Sequence, residues 1–171
     1  MPDAQGNLLE SYLAACASAA SEFRWTPAAN LHLTVRFIGS IEREVAEQIA
    51  GRLAEVPLRG FELELDEVGT FKRGRLVRVV WLGIRAGADQ ARALAAQVEA
   101  ECLRAGLVPE ARAFQPHLTL ARARPRDGAA LPPLPARPEL PPWRAEELVL
   151  YSSHLGRAGA VYEPLRTIRL S

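Results

Sequence analysis

The chain has 171 residues, of which 49% are hydrophobic, and its 21 basic and 20 acidic residues leave a formal net charge of +1. That length supports one substantial core, as a single domain or as two small lobes sharing an interface, while the balanced charge excludes a global field that would attract nucleic acid or a membrane surface. The longest apolar runs fall well short of the roughly 18 residues of a spanning helix and nothing near Met1 has the layout of a secretory signal, so a cytoplasmic protein is expected.

The first stretch, "LLESYLAACASAASEFRW", predicts a helix, because Leu9, Leu13, Cys16 and Ala20 recur at spacings of three or four in an alanine-rich background. Pro27 ends it, and a strand is expected from Leu31 to Ile38. "SIEREVAEQIAGRLAEV" predicts a second helix, with Ser40 as its cap, Val45, Ile49 and Leu53 on one side and a surface pair between Arg43 and Glu47. In "FELELDEVGTF" Phe61, Leu63 and Leu65 alternate with Glu62, Glu64 and Asp66, the period of a strand with one wet face. After a turn at Lys72 to Gly74, "RLVRVVWLGIR" reads as a more buried strand.

"ADQARALAAQVEAECLRAG" predicts a third helix with Leu94, Val98 and Cys102 as its apolar stripe and Gly106 as its stop. A strand follows in "QPHLTLARAR". Seven prolines then accumulate between Pro125 and Pro142, which predicts an irregular loop, either a plain connection or a lid. "EELVLYSSHL" and "AVYEPLRTIRL" close the chain as an antiparallel hairpin turning at Gly156 to Gly159. Helices mixed with mostly antiparallel strands predict an α+β fold. Cys16 and Cys102 both sit in helical patterns, which favours buried thiols over a bridge, and neither dinucleotide-binding nor phosphate-loop glycine motifs occur.

The group His-Leu-Thr occurs twice, at His32 to Thr34 and at His117 to Thr119, in a chain with three histidines. Residues two apart in a strand share a face, so each histidine is paired with a threonine against an apolar backing of leucines. One imidazole can accept a proton from a nucleophile while the other donates one to a leaving oxygen, and two threonine hydroxyls can hydrogen-bond nonbridging phosphate oxygens. Zinc is the competing reading, weakened because the third histidine, His154, lies in the closing hairpin and the cysteines lie in helices. No G-x-S-x-G turn supports a serine hydrolase. Each isolated arginine is expected to face solvent, and Lys72 is the one lysine.

The sequence resembles the 2H phosphoesterase superfamily through these two His-x-Thr-x motifs, and within it the bacterial and archaeal RNA 2',3'-cyclic phosphodiesterases, also called 2'-5' RNA ligases. "WTPAANLHLTVRFIG", "LVRVVWLG", "FQPHLTLAR" and "LVLYSSHLG" carry the likeness over nearly the whole chain. The resemblance implies a single 2H phosphoesterase domain over residues 1–171, with the proline-rich loop at 125–142. It would consist of two pseudo-symmetric lobes of mostly antiparallel sheets and outer helices around a central cleft.

It also implies metal-independent, cofactor-free opening of an RNA 2',3'-cyclic phosphate to a 2'-phosphate by a monomer. His32 would donate a proton to the departing 3'-oxygen, His117 would take one from water, and Thr34 and Thr119 would hold the phosphate. Arg36, Arg122 and Phe114 are candidate RNA or phosphate contacts; regular periodicity puts Arg36 on the face of His32 and Arg122 on the face opposite His117 unless a bulge turns it. Family members usually open with a short apolar strand before a proline comparable to Pro2, so an earlier native start or a lost strand is expected. The alternatives are hydrolysis of another cyclic phosphate or a 2'-5' linkage, with ligation a weaker inference from the older name, and an RNA-end binding protein with little turnover.

Overall fold

In the computed structural model, which describes residues 3–156 and 159–171, the predicted apolar stripe of the first helix is the buried one. Helix α1 (Asp3–Ala19) places Leu9, Leu13 and Cys16 at 0 to 5% exposure, each leucine worth about 1.5–3 kcal/mol of burial. The helical pattern stops earlier than expected. Ala20 remains in the core, but Phe23–Trp25 forms a short strand, β1, with Phe23 buried and Arg24 exposed.

A short 3-10 helix (Ala28–Asn30) leads into Leu31 to Ile38, which is not the strand its composition suggested. Its ladder contact is a single antiparallel bridge, Leu33 to Leu118. Helix α2 (Arg43–Glu55) buries Ala46, Ile49, Ala50 and Leu53, and its Arg43–Glu47 pair closes at 2.7 Å. Ser40 does not cap it; the cap position is Glu42, whose backbone carbonyl accepts from Val45 and Ala46 with no side-chain bond.

The alternating residues Phe61, Leu63 and Leu65 are buried as expected, but the stretch divides at Glu64 into β2 (Phe61–Leu63) and β3 (Leu65–Arg73), which belong to different sheets. Gly74, at φ +59, is the first of two turn residues joining β3 to β4 (Leu76–Ile84), the sign a two-residue hairpin needs there. Helix α3 (Ala88–Arg104) buries Leu94, Val98 and Cys102 as expected. Gly106 stops it at φ +82, its N–H bonding to Leu103 and that of Leu107 to Cys102, the paired bonds of a Schellman end.

Strand β5 (His117–Ala123) is followed by the proline-rich stretch, which has no regular element before β6 (Trp143–Ala145). That stretch is nonetheless tied down at one point, where Ala129 exchanges two backbone hydrogen bonds with Val77. Strands β7 (Glu147–Gly156) and β8 (Gly159–Arg169) form the predicted hairpin; of its expected turn, Arg157 and Ala158 lie outside the described residues, as does Pro2.

The architecture is therefore α+β with antiparallel pairing in the order β1-β5-β4-β3, plus the pairs β2-β6 and β7-β8. The chain divides into two compact units. The first takes in Met1–Thr34, Leu63–Ala88 and Pro116–Trp143, and the second Val35–Glu62, Asp89–Gln115 and Arg144–Ser171. In the second, Glu101 is 4% exposed and bonded by Arg52 Nε at 2.8 Å and by Arg104. Both cysteines are buried and free, and burial pushes each thiol upward, so neither is an activated nucleophile. Among the described residues, no helix is long and apolar enough to cross a membrane.

Candidate functional site

Both His-x-Thr motifs fall in the first unit, and strand β5 explains how they meet. On one side β5 pairs with β4, with His117 opposite Gly83, Leu118 opposite Leu82 and Thr119 opposite Trp81. Directly opposed residues share a face. Leu82 and Leu118 point into the core at 0 and 3% exposure, so His117, Thr119, Trp81 and Gly83 share the other face.

The register then slips by one, pairing Val80 with Ala121 and Val79 with Arg122, so that Leu120 is the extra residue of a β-bulge. Strict alternation puts Arg122 on the face opposite His117. The bulge reverses that parity, placing Arg122 with Val79 on the face of His117 and Thr119, as expected for a one-residue shift.

Along the other edge of β5 runs the beginning of the chain. Phe23, Arg24 and Trp25 pair with Ala123, Arg122 and Ala121, and the Thr26 N–H bonds to Leu120 at 2.7 Å. Pro27, which has no N–H to give, takes the chain out of the ladder through the 3-10 turn, and Leu33 rejoins the same edge at Leu118. An antiparallel bridge at that pair sets His32 beside the position of Thr119 and Thr34 beside that of His117. Each histidine is thus next to the other motif's threonine. Both histidines and Thr119 are half-buried, and Thr34 is exposed.

His32 Nδ1 lies 2.8 Å from the Asn30 carbonyl oxygen. A carbonyl can only accept, so Nδ1 is the donor in this contact and carries a proton. His117 is held differently, by rings. Phe71 meets it edge-on at 5.2 Å between centroids and Trp81 lies at 5.9 Å, while Phe71 and Trp81 are 5.3 Å apart. The Trp81 indole reaches across to β3, where a Cβ at Gly69 would stand 2.2 Å from it. Glycine there is the space the indole occupies.

Arg36 lies in the second unit, its side chain 10% exposed, with Nη1 2.6 Å from Glu110, Nη2 donating to the Val108 carbonyl at 2.7 Å and Nε 2.7 Å from Glu99. It borders a groove of about 570 Å³ lined also by Phe37, Ile41, Leu107 and Val108, which contains neither histidine. Phe114 is half-buried in the irregular segment before β5. No group of three or more His, Cys, Asp or Glu among the described residues is arranged to hold a metal ion.

Sequence reasoning missed Arg24, Phe71 and Trp81 as members of this face. The alternation Phe23-Arg24-Trp25 was the available signal for the first, masked by the alanine-rich helix before it.

The model of the 2'-5' RNA ligase superfamily matches residues 7–157. An RNA 2',3'-cyclic phosphodiesterase of Aeropyrum pernix is 41% identical over 95 residues, 56% of this chain and about half, 54%, of that relative's length. One from Methanothermobacter thermautotrophicus is 31% identical over 160 residues, 90% of this chain and 85% of the relative. A crystal structure of Escherichia coli LigT complexed with 3'-AMP matches with a TM-score of 0.81 at 28% identity, covering 97% of this chain and 92% of that one. With a family match over most of its length and the two His-x-Thr motifs joined on one strand, this chain belongs to the 2'-5' RNA ligase superfamily.

Proposed function

We propose that the protein hydrolyses RNA ends carrying a 2',3'-cyclic phosphate to the 2'-phosphate, acting as a monomer and without a metal. The observation that carries this reading is the Leu33–Leu118 bridge, which brings two imidazoles and two threonine hydroxyls to one strand. The relatives named as RNA 2',3'-cyclic phosphodiesterases support the choice of substrate.

In this reading water attacks phosphorus and gives its proton to His117, the bond from phosphorus to the 3'-oxygen breaks, and His32 delivers a proton to that oxygen from Nε2. The Asn30 carbonyl holds Nδ1–H and so fixes which nitrogen faces the reaction. Thr34 and Thr119 donate to the nonbridging oxygens as charge develops there. Arg122 contributes a positive charge from the same face. The Arg36 guanidinium is engaged by Glu99, Glu110 and the Val108 carbonyl, and Phe114 is left as a candidate groove aromatic. A cytoplasmic setting suits this role and suits two cysteines held as free thiols.

The test is cleavage of a short RNA with a cyclic phosphate end in the presence of EDTA, resolving the 2'-phosphate from the 3'-phosphate product. Formation of the 2'-phosphate by the parent, and its loss in His117→Ala, supports the reading. Absence of product from the folded parent, or unchanged cleavage in both His32→Ala and His117→Ala, overturns it.

A further inference from the structure

The hairpin joining β3 to β4 carries Lys72, Arg73, Arg75 and Arg78 within seven residues that include no acid. These are four of the chain's 21 basic residues, leaving 17 against 20 acidic residues everywhere else, so the balanced total hides a concentrated positive tip. Lys72, Arg75 and Arg78 are exposed. The fold does not call for them. Gly74 already supplies the positive φ of the two-residue turn, whose second position suits a short polar residue, and Arg78 is the extra residue of a β-bulge between the pairs Phe71–Val79 and Lys72–Val77.

Hairpin tips ordinarily fray. This one is buttressed by the proline-rich segment, which acts here as a strap: Ala129 exchanges two backbone hydrogen bonds with Val77, Asp127 pairs with Arg73 at 2.7 Å, and Gly128, at φ +106, passes so close that a Cβ there would stand 2.8 Å from the Val77 carbonyl oxygen. A cationic tip held in place gives up less entropy when it binds.

The tip also leads away from the face of His117 and Thr119. Phe71, whose ring meets His117, directly precedes Lys72, and Arg78 and Arg75 lie three and six residues from Trp81, the partner of Thr119, or roughly 10 and 20 Å along the chain. An RNA that ends in the reacting phosphate continues from it in one direction only, and its remaining phosphates are met by cations spaced outward from the site.

We propose that Lys72, Arg75 and Arg78 hold backbone phosphates of the RNA a few nucleotides before the reacting end, so that affinity rises with RNA length. This rests on the proposed hydrolysis of cyclic phosphate ends and adds to it an upstream backbone site and the residues that form it.

The experiment measures, by fluorescence anisotropy over a salt series, binding of a labelled dinucleotide and of an oligoribonucleotide of about ten nucleotides, both ending in a 2'-phosphate, to the parent and to the double variant Lys72→Gln/Arg75→Gln. The expected result is that the ratio of long to short affinity falls about tenfold, and that the slope of log affinity against log salt for the long RNA drops by about 1.4, as for two lost phosphate contacts on a single strand. Because Lys72 is the one lysine, acylation with an amine reagent read by mass spectrometry gives a second measure, and the long RNA should protect it more than the dinucleotide does. Equal losses for the two lengths, an unchanged affinity for the long RNA, or no protection of Lys72 overturns the proposal. Cleavage of a cyclic phosphate end is followed in parallel: a parent that cleaves nothing refutes the hydrolytic reading, while the tip still stands if the variant loses the dependence on length and falls if it does not.

Discussion

The Phe71 ring stands perpendicular to the His117 imidazole, at 89° with 5.2 Å between centroids, and so limits the ring's rotation from the β3 side. If His117 has to present one nitrogen to water, that wall is part of its aim. Phe71→Ala is expected to lower kcat about three- to tenfold with KM little changed, whereas Phe71→Trp should keep most activity. Steady-state kinetics on an RNA with a cyclic phosphate end provide the check; a change confined to KM would assign Phe71 to substrate contact instead.

Removing either imidazole should be far more costly than loosening it. His32→Ala and His117→Ala are each expected to reduce turnover by about 10² to 10⁴, the range of a general acid or base, while Thr34→Val and Thr119→Val should cost about 10 to 10³. Single-turnover measurements separate these losses from binding, and the double histidine variant should lose less than the product of the two single effects if they act as a unit.

Gly69 supplies a structural control for the same face. An added methyl group would stand 2.2 Å from the Trp81 indole, so Gly69→Ala must displace that ring. The expected outcome is a loss of about 1–3 kcal/mol in stability, together with reduced activity because Trp81 also packs near His117. Thermal melting paired with activity tests both halves of the prediction.

Arg36 should behave in the opposite way, as a residue of stability rather than turnover. Its guanidinium, 10% exposed, sits between Glu99 and Glu110 with the Val108 carbonyl as a third contact, and its removal leaves two partly exposed acidic groups without their shared partner. Arg36→Ala is expected to cost about 1–2 kcal/mol in denaturant unfolding, between the cost of breaking a buried pair and that of an exposed one. The substrate KM of the protein that remains folded should change less than twofold.

Stability should fall on the alkaline side. Burial raises the Cys16 and Cys102 thiols above 9.0, and burial with the neighbouring Cys16 raises the Tyr12 phenol above 10.0. In the unfolded chain these groups lose protons near their ordinary values while the folded chain keeps them, so above about pH 9 the unfolded state binds fewer protons and gains relative stability. The contribution is complete below that pH and disappears as pH rises through the folded values. Melting temperature followed from pH 7 to 11 should show the decline, with a shallower slope in Cys16→Ala.

The elements defined by local periodicity were readable from the sequence, and those defined by partners were not. Leu9, Leu13, Val98 and Cys102 sit where helical spacing puts them, and Leu63 and Leu65 where alternation does. β1 escaped notice because three residues carry too little pattern to compete with an alanine-rich helix, and only β5 makes them a strand. Leu31 to Ile38 looked like a strand by composition, yet Pro27 and the 3-10 turn leave it one bridge. The motif residues were legible because their chemistry is repeated, whereas the position of Arg122 depended on a bulge that no spacing rule reveals. Phe71 and Trp81 read as ordinary strand aromatics, since their nearness to His117 is set by the register of three strands.

The two motifs are unequally anchored. His117 is paired with Gly83 in the continuous β4–β5 ladder, while Leu33 meets the sheet at one isolated bridge between a proline-led excursion and an irregular run. Amide hydrogens around Leu118 should therefore exchange with solvent only in rare, large-scale openings, and those around Leu33 through frequent local ones. One half of the acid–base pair would then stay fixed while the other detaches and re-docks, giving a product end a way out that leaves the sheet intact.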